Sequence, residues 1–417
     1  MRTPLTRAQQ RPGLRRGGLA ALSTAAVLTL AACSGGTTPA SDETAEGAES
    51  AGATAAADPA GSRVAVSYEG GVLVLDGETM EVVADLDSEE FTRLNSAGDG
   101  RHVMVTVADG FQLLDTGAGT EGGAAELTDT VFEAELPGHV VTHADKTVLY
   151  ADGTSDTTIM ETADLAAGEV PETETVEGTE AHHGVSIVLG DGTFLTTVGD
   201  AETRTGAVAR DASGEVVAEN DECPGIHGEG TAVDEAVVFG CEDGALLFVD
   251  GGFQKVDAPD RGYARMGNAY VSETSPLVVG DYNTDQDAEG YLLEELAVVD
   301  TAAGELDVVA LPEGAEYTYR GVARGPGDLA YVIATDGAIH VLDPQTRELT
   351  DALPVVEAWE GPAEWQDPHP SMRVEGDVAY VTDPAAQAVH AVDLTTGEVT
   401  ASAELDVDPN EIAVAAG

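Results

Sequence analysis

Positive charge is scarce in this chain. Eighteen lysines and arginines stand against 77 aspartates and glutamates in 417 residues, a formal net charge of −59. A surface of that sign repels nucleic acid and anionic membranes, which removes both as partners. The charge reads as a solubility adaptation, because dispersed carboxylates attract cations without building a metal site. Cysteine is scarcer still, with three residues, too few for a disulfide framework in so long a chain. Long apolar runs are missing as well: the stretch Gly18 to Leu30 is too short to span a bilayer permanently. No GxSxG, HExxH or phosphate-loop motif is present, so no hydrolytic or nucleotide chemistry announces itself.

What is there begins with the leader. MRTPLTRAQQRPGLRRGGLAALSTAAVLTLAAC carries five arginines (Arg2, Arg7, Arg11, Arg15, Arg16) and no acid, then a short apolar stretch and small residues. That is the build of a signal peptide. Leu30-Ala31-Ala32-Cys33 followed by Ser34-Gly35-Gly36 resembles a bacterial lipobox. The motif implies cleavage before Cys33, a lipid on its thiol, and a place on the outer face of the bacterial cytoplasmic membrane. An ordinary secretory signal with a free cysteine is the alternative. Residues 1–32 are therefore expected to be the signal peptide and residues 33–60 a flexible linker, small and acidic without apolar periodicity. Losing the five leader arginines would take the charge from −59 to −64. Cys223 and Cys241 remain as an even pair in an oxidising compartment, which favours a disulfide between them over a thiolate metal site.

Residues 61–417 are almost wholly short β-runs and turns. Four segments share one pattern of strand, tight polar turn and strand: VLDGETMEVVADL (74–86), VVDTAAGELDVVAL (298–311), VLDPQTRELTDAL (341–353) and AVDLTTGEVTASAEL (391–405). Unit beginnings also match, as HPSMRVEGDVAYV (369–381) does YRGVARGPGDLAYV (319–332), HVVTHADKTVLYA (139–151) and HGEGTAVDEAVVFG (227–240). Inner strands are expected to start near residues 93, 139, 183, 227, 265, 320 and 369. Four-stranded units at this period predict an all-β fold, a β-propeller. The chain ends in DPNEIAVAAG (408–417), which aligns with DPHPSMRVEG (367–376) as an inner strand, whereas SRVAVSY (62–68) looks like a second strand lacking a first. The C-terminus should thus complete the N-terminal blade, which gives eight blades; the irregular region 263–312 is where a count of seven would arise.

The nine histidines are not scattered evenly over this repeat. Counting back seven residues from the turn after each inner strand lands on His139, His183, His227 and His369. Equivalent slots at the mouth of a propeller channel converge on its axis, and converging neutral imidazoles are what zinc requires. His139, His183 and His227 belong to adjacent blades, and His369 lies three blades further round. His182 is an alternative to His183, because successive strand residues point oppositely. His143 is a weaker candidate four residues after His139, and Asp367 and Glu229 are possible carboxylate ligands or partners orienting an imidazole. The remaining slots hold Arg93, Arg265, Arg320 and Asn410; inter-blade salt bridges are expected of these arginines, with anion binding as the alternative. His102, His340 and His390 lie away from the axis and read as structural.

Five of these segments resemble the extracytoplasmic zinc metallochaperones of the AztD family: GHVVTH (138–143), AHHGVSIVLGDG (181–192), CPGIHGEG (223–230) with VFGCEDGALLFVD (238–250), and DPHPSMRVEGDVAYVTDP (367–384). The resemblance implies a propeller that binds zinc as cargo and delivers it to the zinc-binding solute-binding protein of an ABC importer. It places the metal on His139, His183 or His182, His227 and His369, and a disulfide on Cys223 and Cys241. One departure is plain. Family members can carry a His-rich N-terminal metal motif, whereas residues 34–101 here contain no histidine, so a second site there is not expected. The chain is accordingly read as a monomeric, non-enzymatic zinc carrier anchored by lipid alone. A metal-dependent hydrolase, with Glu229 as its base, and a metal-free interaction scaffold are the competing readings. Imidazole ligands alone do not separate zinc from copper or nickel.

Overall fold

The computed structural model describes residues 61–417 apart from 169, 260, 261 and 289. The leader, Cys33 and the linker up to residue 60 lie outside the described residues. Eight antiparallel sheets follow one another among those described, and each has a path of four strands. The fold is an eight-bladed β-propeller. No described helix is long and apolar enough to cross a membrane.

The ring closes as the sequence pattern predicts. Blade 1 is composite: Ile412–Ala415 pairs with Arg63–Tyr68, and Gly71–Asp76 and Val82–Asp87 complete it. The inner strands of blades 2 to 8 are Leu94–Ser96, Pro137–His143, Ser186–Val188, His227–Ala232, Ala269–Tyr270, Val322–Arg324 and Met372–Glu375. The second and third strands of a blade are sandwiched between neighbouring blades, which is why they read as unbroken apolar runs. In Arg63–Tyr68, Val64 and Val66 pack with Tyr380 and Val389 of blade 8, while the intervening Ala65 packs with Val103 and Val105 of blade 2. Outer strands such as Val82–Asp87 face solvent and alternate instead.

The recurrent aspartate of the outer hairpins has a direct cause. Oδ1 of Asp76, Asp300, Asp343 and Asp393 each accepts the N–H groups two and three residues on, which forces the turn. One expectation is corrected. The inner strand of blade 6 starts at Ala269 rather than near residue 265. Ala264–Arg265 pairs instead in parallel with blade 5, tied by Ala264 N–H to Glu242 O (2.8 Å) and Met266 N–H to Cys241 O (3.0 Å). Cys223 and Cys241 are joined by a disulfide that fastens the segment before blade 5 to its second strand.

Candidate metal centre

Blades 2 to 8 all contribute to one axial cavity of about 920 Å³, blade 4 through the segment that precedes its inner strand. Three of its lining residues are His139, His183 and His227, from blades 3, 4 and 5. Two of the strands that carry them are bulged, between Pro137 and Val140 and between His227 and Gly230. A bulge breaks alternation and re-aims a side chain, here toward the axis. Glycines make the close approach possible. Gly228 has φ +66°, and a Cβ there would sit 2.5 Å from the Gly267 carbonyl; one on Gly138 would sit 2.2 Å from Asp152 Oδ1.

The three rings converge through Nε2. His139 Nε2 lies 3.4 Å from His183 Nε2, which lies 2.9 Å from His227 Nε2, and one nitrogen of each ring falls within 4.8 Å of the others. Their far sides set the tautomers. His183 Nδ1–H donates to Asp152 Oδ2 at 2.5 Å, and His227 Nδ1–H donates to the Gly267 carbonyl. Both acceptors lack a proton to give, so each neutral ring turns an Nε2 lone pair inward. Two lone pairs 2.9 Å apart repel unless a proton or a cation sits between them. Burial, then His227, His183 and nearby arginines hold His139 well below the ordinary imidazole range. Burial and His183 likewise push His227 down to about 3, against the opposing pull of the Gly267 carbonyl. Tetrahedral zinc at about 2.05 Å from each nitrogen separates its ligands by roughly 3.3 Å, so the observed spacing fits a metal.

The other candidates are not brought to this cluster. His182 is buried and fully engaged: Nε2 lies 3.1 Å from both Tyr150 Oη and Thr197 Oγ1, and Nδ1 lies 2.9 Å from Ser155 Oγ and from the Glu180 carbonyl. His143 sits at the far end of its strand, 3.2 Å from Glu235 Oε1. Glu229 accepts from Thr231 Oγ1 at 2.8 Å, and burial pushes its carboxyl up to about 7, opposed by Thr231 and His143. Asp367 offers His369 only its backbone carbonyl, 2.7 Å from Nδ1, while its carboxylate accepts from Glu364 N–H. His369 is buried against Trp359, ring centroids 6.4 Å apart, and burial with the Arg320 charge pushes it down to about 4. Its Nε2 is buried without a hydrogen-bond partner among the described residues.

One residue that sequence reasoning did not single out is Asp152, the carboxylate that orients His183. It lies in the turn Ala151-Asp152-Gly153, and similar turns at 108–110, 190–192 and 242–244 make that pattern indistinct. Of the arginine slots, Arg93 and Arg320 form the expected salt bridges, both to Glu411, at 3.1 and 3.2 Å.

An eight-bladed propeller with a histidine cluster at its axis is the class of protein that fold and site define. Within that class the chain is similar to zinc chaperone AztD of Citrobacter koseri, 25% identical over 321 residues, 76% of this chain and 74% of the relative. The crystal structure of C. koseri AztD superposes with a TM-score of 0.71 at 20% identity, covering 86% of this chain and 98% of that one. The apo form of C. koseri AztD gives the same TM-score at 19% identity over 85% and 97%. No protein-family model matches the chain.

Proposed function

We propose that this protein is an extracytoplasmic zinc carrier, held at the outer face of the cytoplasmic membrane by lipid on Cys33, that hands zinc to the solute-binding protein of an ABC importer. Residues 1–32 would be its signal peptide, 33–60 its tether and 61–417 its working domain. His139, His183 and His227 hold the metal through Nε2. The observation that carries this reading is the convergence of three Nε2 atoms from adjacent blades, with two far-side nitrogens tied to pure acceptors. The similarity to zinc chaperone AztD supports the cargo.

A carrier has to hold its cargo without reacting it. The one carboxylate that sequence analysis offered as a hydrolytic base, Glu229, bonds to Thr231 outside the cluster, so nothing favours the hydrolase. Titration of the metal-free protein with zinc against a competing chelator tests the reading. One tight equivalent is expected, lost in H139A/H227A. Absence of tight binding, or its survival in that double variant, would overturn it. Transfer is read by mixing the zinc-loaded protein with a metal-free solute-binding protein and following which chain holds the metal.

A further inference from the structure

The axial cavity is positively charged inside a strongly negative protein. Arg93, Arg265, Arg320, Arg324 and Arg373 line it, and Asp281 is the one carboxylate among its described lining residues. Asp281 is taken: its oxygens accept Gly267 N–H at 2.5 Å, and Asn268 N–H and Nδ2–H at 2.7 Å. Arg93 and Arg320 share Glu411. Arg324 gives its donors to backbone carbonyls, among them Leu277 O at 2.6 Å. Arg265 and Arg373 have no carboxylate within ion-pair distance among the described residues, although Asp281 acts on Arg265 and Glu411 on Arg373 from further off. Among the described residues each makes a single contact to a carbonyl, Arg265 to Gly225 O at 3.5 Å and Arg373 to Met372 O at 2.8 Å. A guanidinium carries five donors in a rigid fork matched to carboxylate, and leaving it unpaired in a recess is costly. In a chain with 77 acidic side chains, neither arginine is closed off by a direct carboxylate contact among the described residues.

We propose that this cavity seats a small polycarboxylate anion, gripped by Arg265 and Arg373 and lying beside the histidine cluster. The volume, about 920 Å³, is within the range of small-molecule sites. Tyr319 and Trp365 give the lining flat apolar walls, held in place by the Arg320 guanidinium stacked over both rings at 5.8 Å. A small anion brings only two or three charges against a chain of −59, where an acidic protein segment would bring many more. The consequence for the metal rests on the zinc-carrier reading: three imidazoles leave zinc one ligand short of four, and an anion held in the cavity that the histidines also line would supply the fourth through a carboxylate.

Titration calorimetry of the metal-free full chain with citrate, and separately with acetate and inorganic phosphate, tests the seat without involving zinc. Citrate is expected to bind with a Kd below about 1 mM, and acetate and phosphate at least tenfold more weakly. R265Q and R373Q should each weaken citrate tenfold or more. R373K, which keeps the charge and the fold but loses the fork, should weaken it as well. Absence of citrate binding, equal binding of acetate or phosphate, or unchanged citrate affinity in folded R265Q and R373K would each overturn the proposal. Zinc titration in carboxylate-free buffer reads the carrier function separately, so failure of one is distinguishable from failure of the other.

Discussion

At the scale of single residues, the adjacent pair His182 and His183 separates into two roles. His183 faces the cluster with its ring fixed by Asp152, whereas His182 is buried among four hydrogen-bond partners. The D152N variant should therefore weaken zinc about 10- to 100-fold, as loss of a carboxylate that orients a ligating histidine does, with little change in thermal midpoint. H182A should do the reverse. It takes one hydrogen-bond partner from each of the buried Tyr150, Thr197 and Ser155 hydroxyls, at a cost of about 1–3 kcal/mol, and zinc affinity in the folded fraction should hold. Chelator competition and denaturant melts read the two effects independently; a zinc loss in H182A matching that of H183A would refute the division. Sequence could not divide the pair. Alternation applies within a strand, and this strand begins only at Ser186, three residues after His183. Asp152 was equally illegible, because it reaches its histidine from the next blade across 31 residues.

Among elements, the short C-terminal strand Ile412–Ala415 does more than its length suggests. It closes the ring on Arg63–Tyr68, and the preceding Glu411 is buried between guanidiniums of blades 2 and 7. Burial alone would raise the Glu411 pKa, but Arg93, Arg320 and Arg373 outweigh it and hold the carboxyl below its ordinary 4.5. A depressed folded-state pKa contributes stability that is complete above the unfolded value and disappears as pH falls through the folded one. E411Q should thus lower stability by about 3–5 kcal/mol at pH 7, since it leaves the buried Arg320 guanidinium without its carboxylate. The gap between variant and wild type should close as pH falls below 4.5. A gap that stays constant into acid would sink this account of the closure. The elements themselves were largely legible, because every sandwiched strand needs apolar residues on both faces and four of the outer hairpins turn on an aspartate. Bulges were not: an extra residue at Pro137–Val140 or His227–Gly230 changes pairing without changing composition. The inner strand of blade 6 was misplaced for a related reason. The two-residue strand Ala269–Tyr270 carries too little pattern to compete with the neighbouring Ala264–Arg265, which pairs elsewhere.

For the whole molecule, two fields of opposite sign act on an arriving cation. The exterior of a chain with formal charge −59 draws divalent metal inward and raises its local concentration. Around the cluster the sign reverses, since Arg93, Arg204 and Arg265 all bear on His139 or His227 and help to keep them unprotonated. The long-range part is open to screening and the short-range part is not. Between 0.01 M and 1 M salt the Debye length contracts from about 30 Å to about 3 Å, which erases the exterior field at the distances where steering operates. Stopped-flow association of zinc with the metal-free protein should accordingly slow severalfold across that range, measured with a salt whose anion does not bind zinc. Dissociation, which depends on the ligand atoms and the arginines packed next to them, should change far less. An association rate that is flat or rises with salt would mean that the interior arginines, rather than the acidic exterior, set the barrier to loading. In that case removing one of them, as in R265Q, should speed zinc entry at low salt, an outcome that steering by the exterior does not produce.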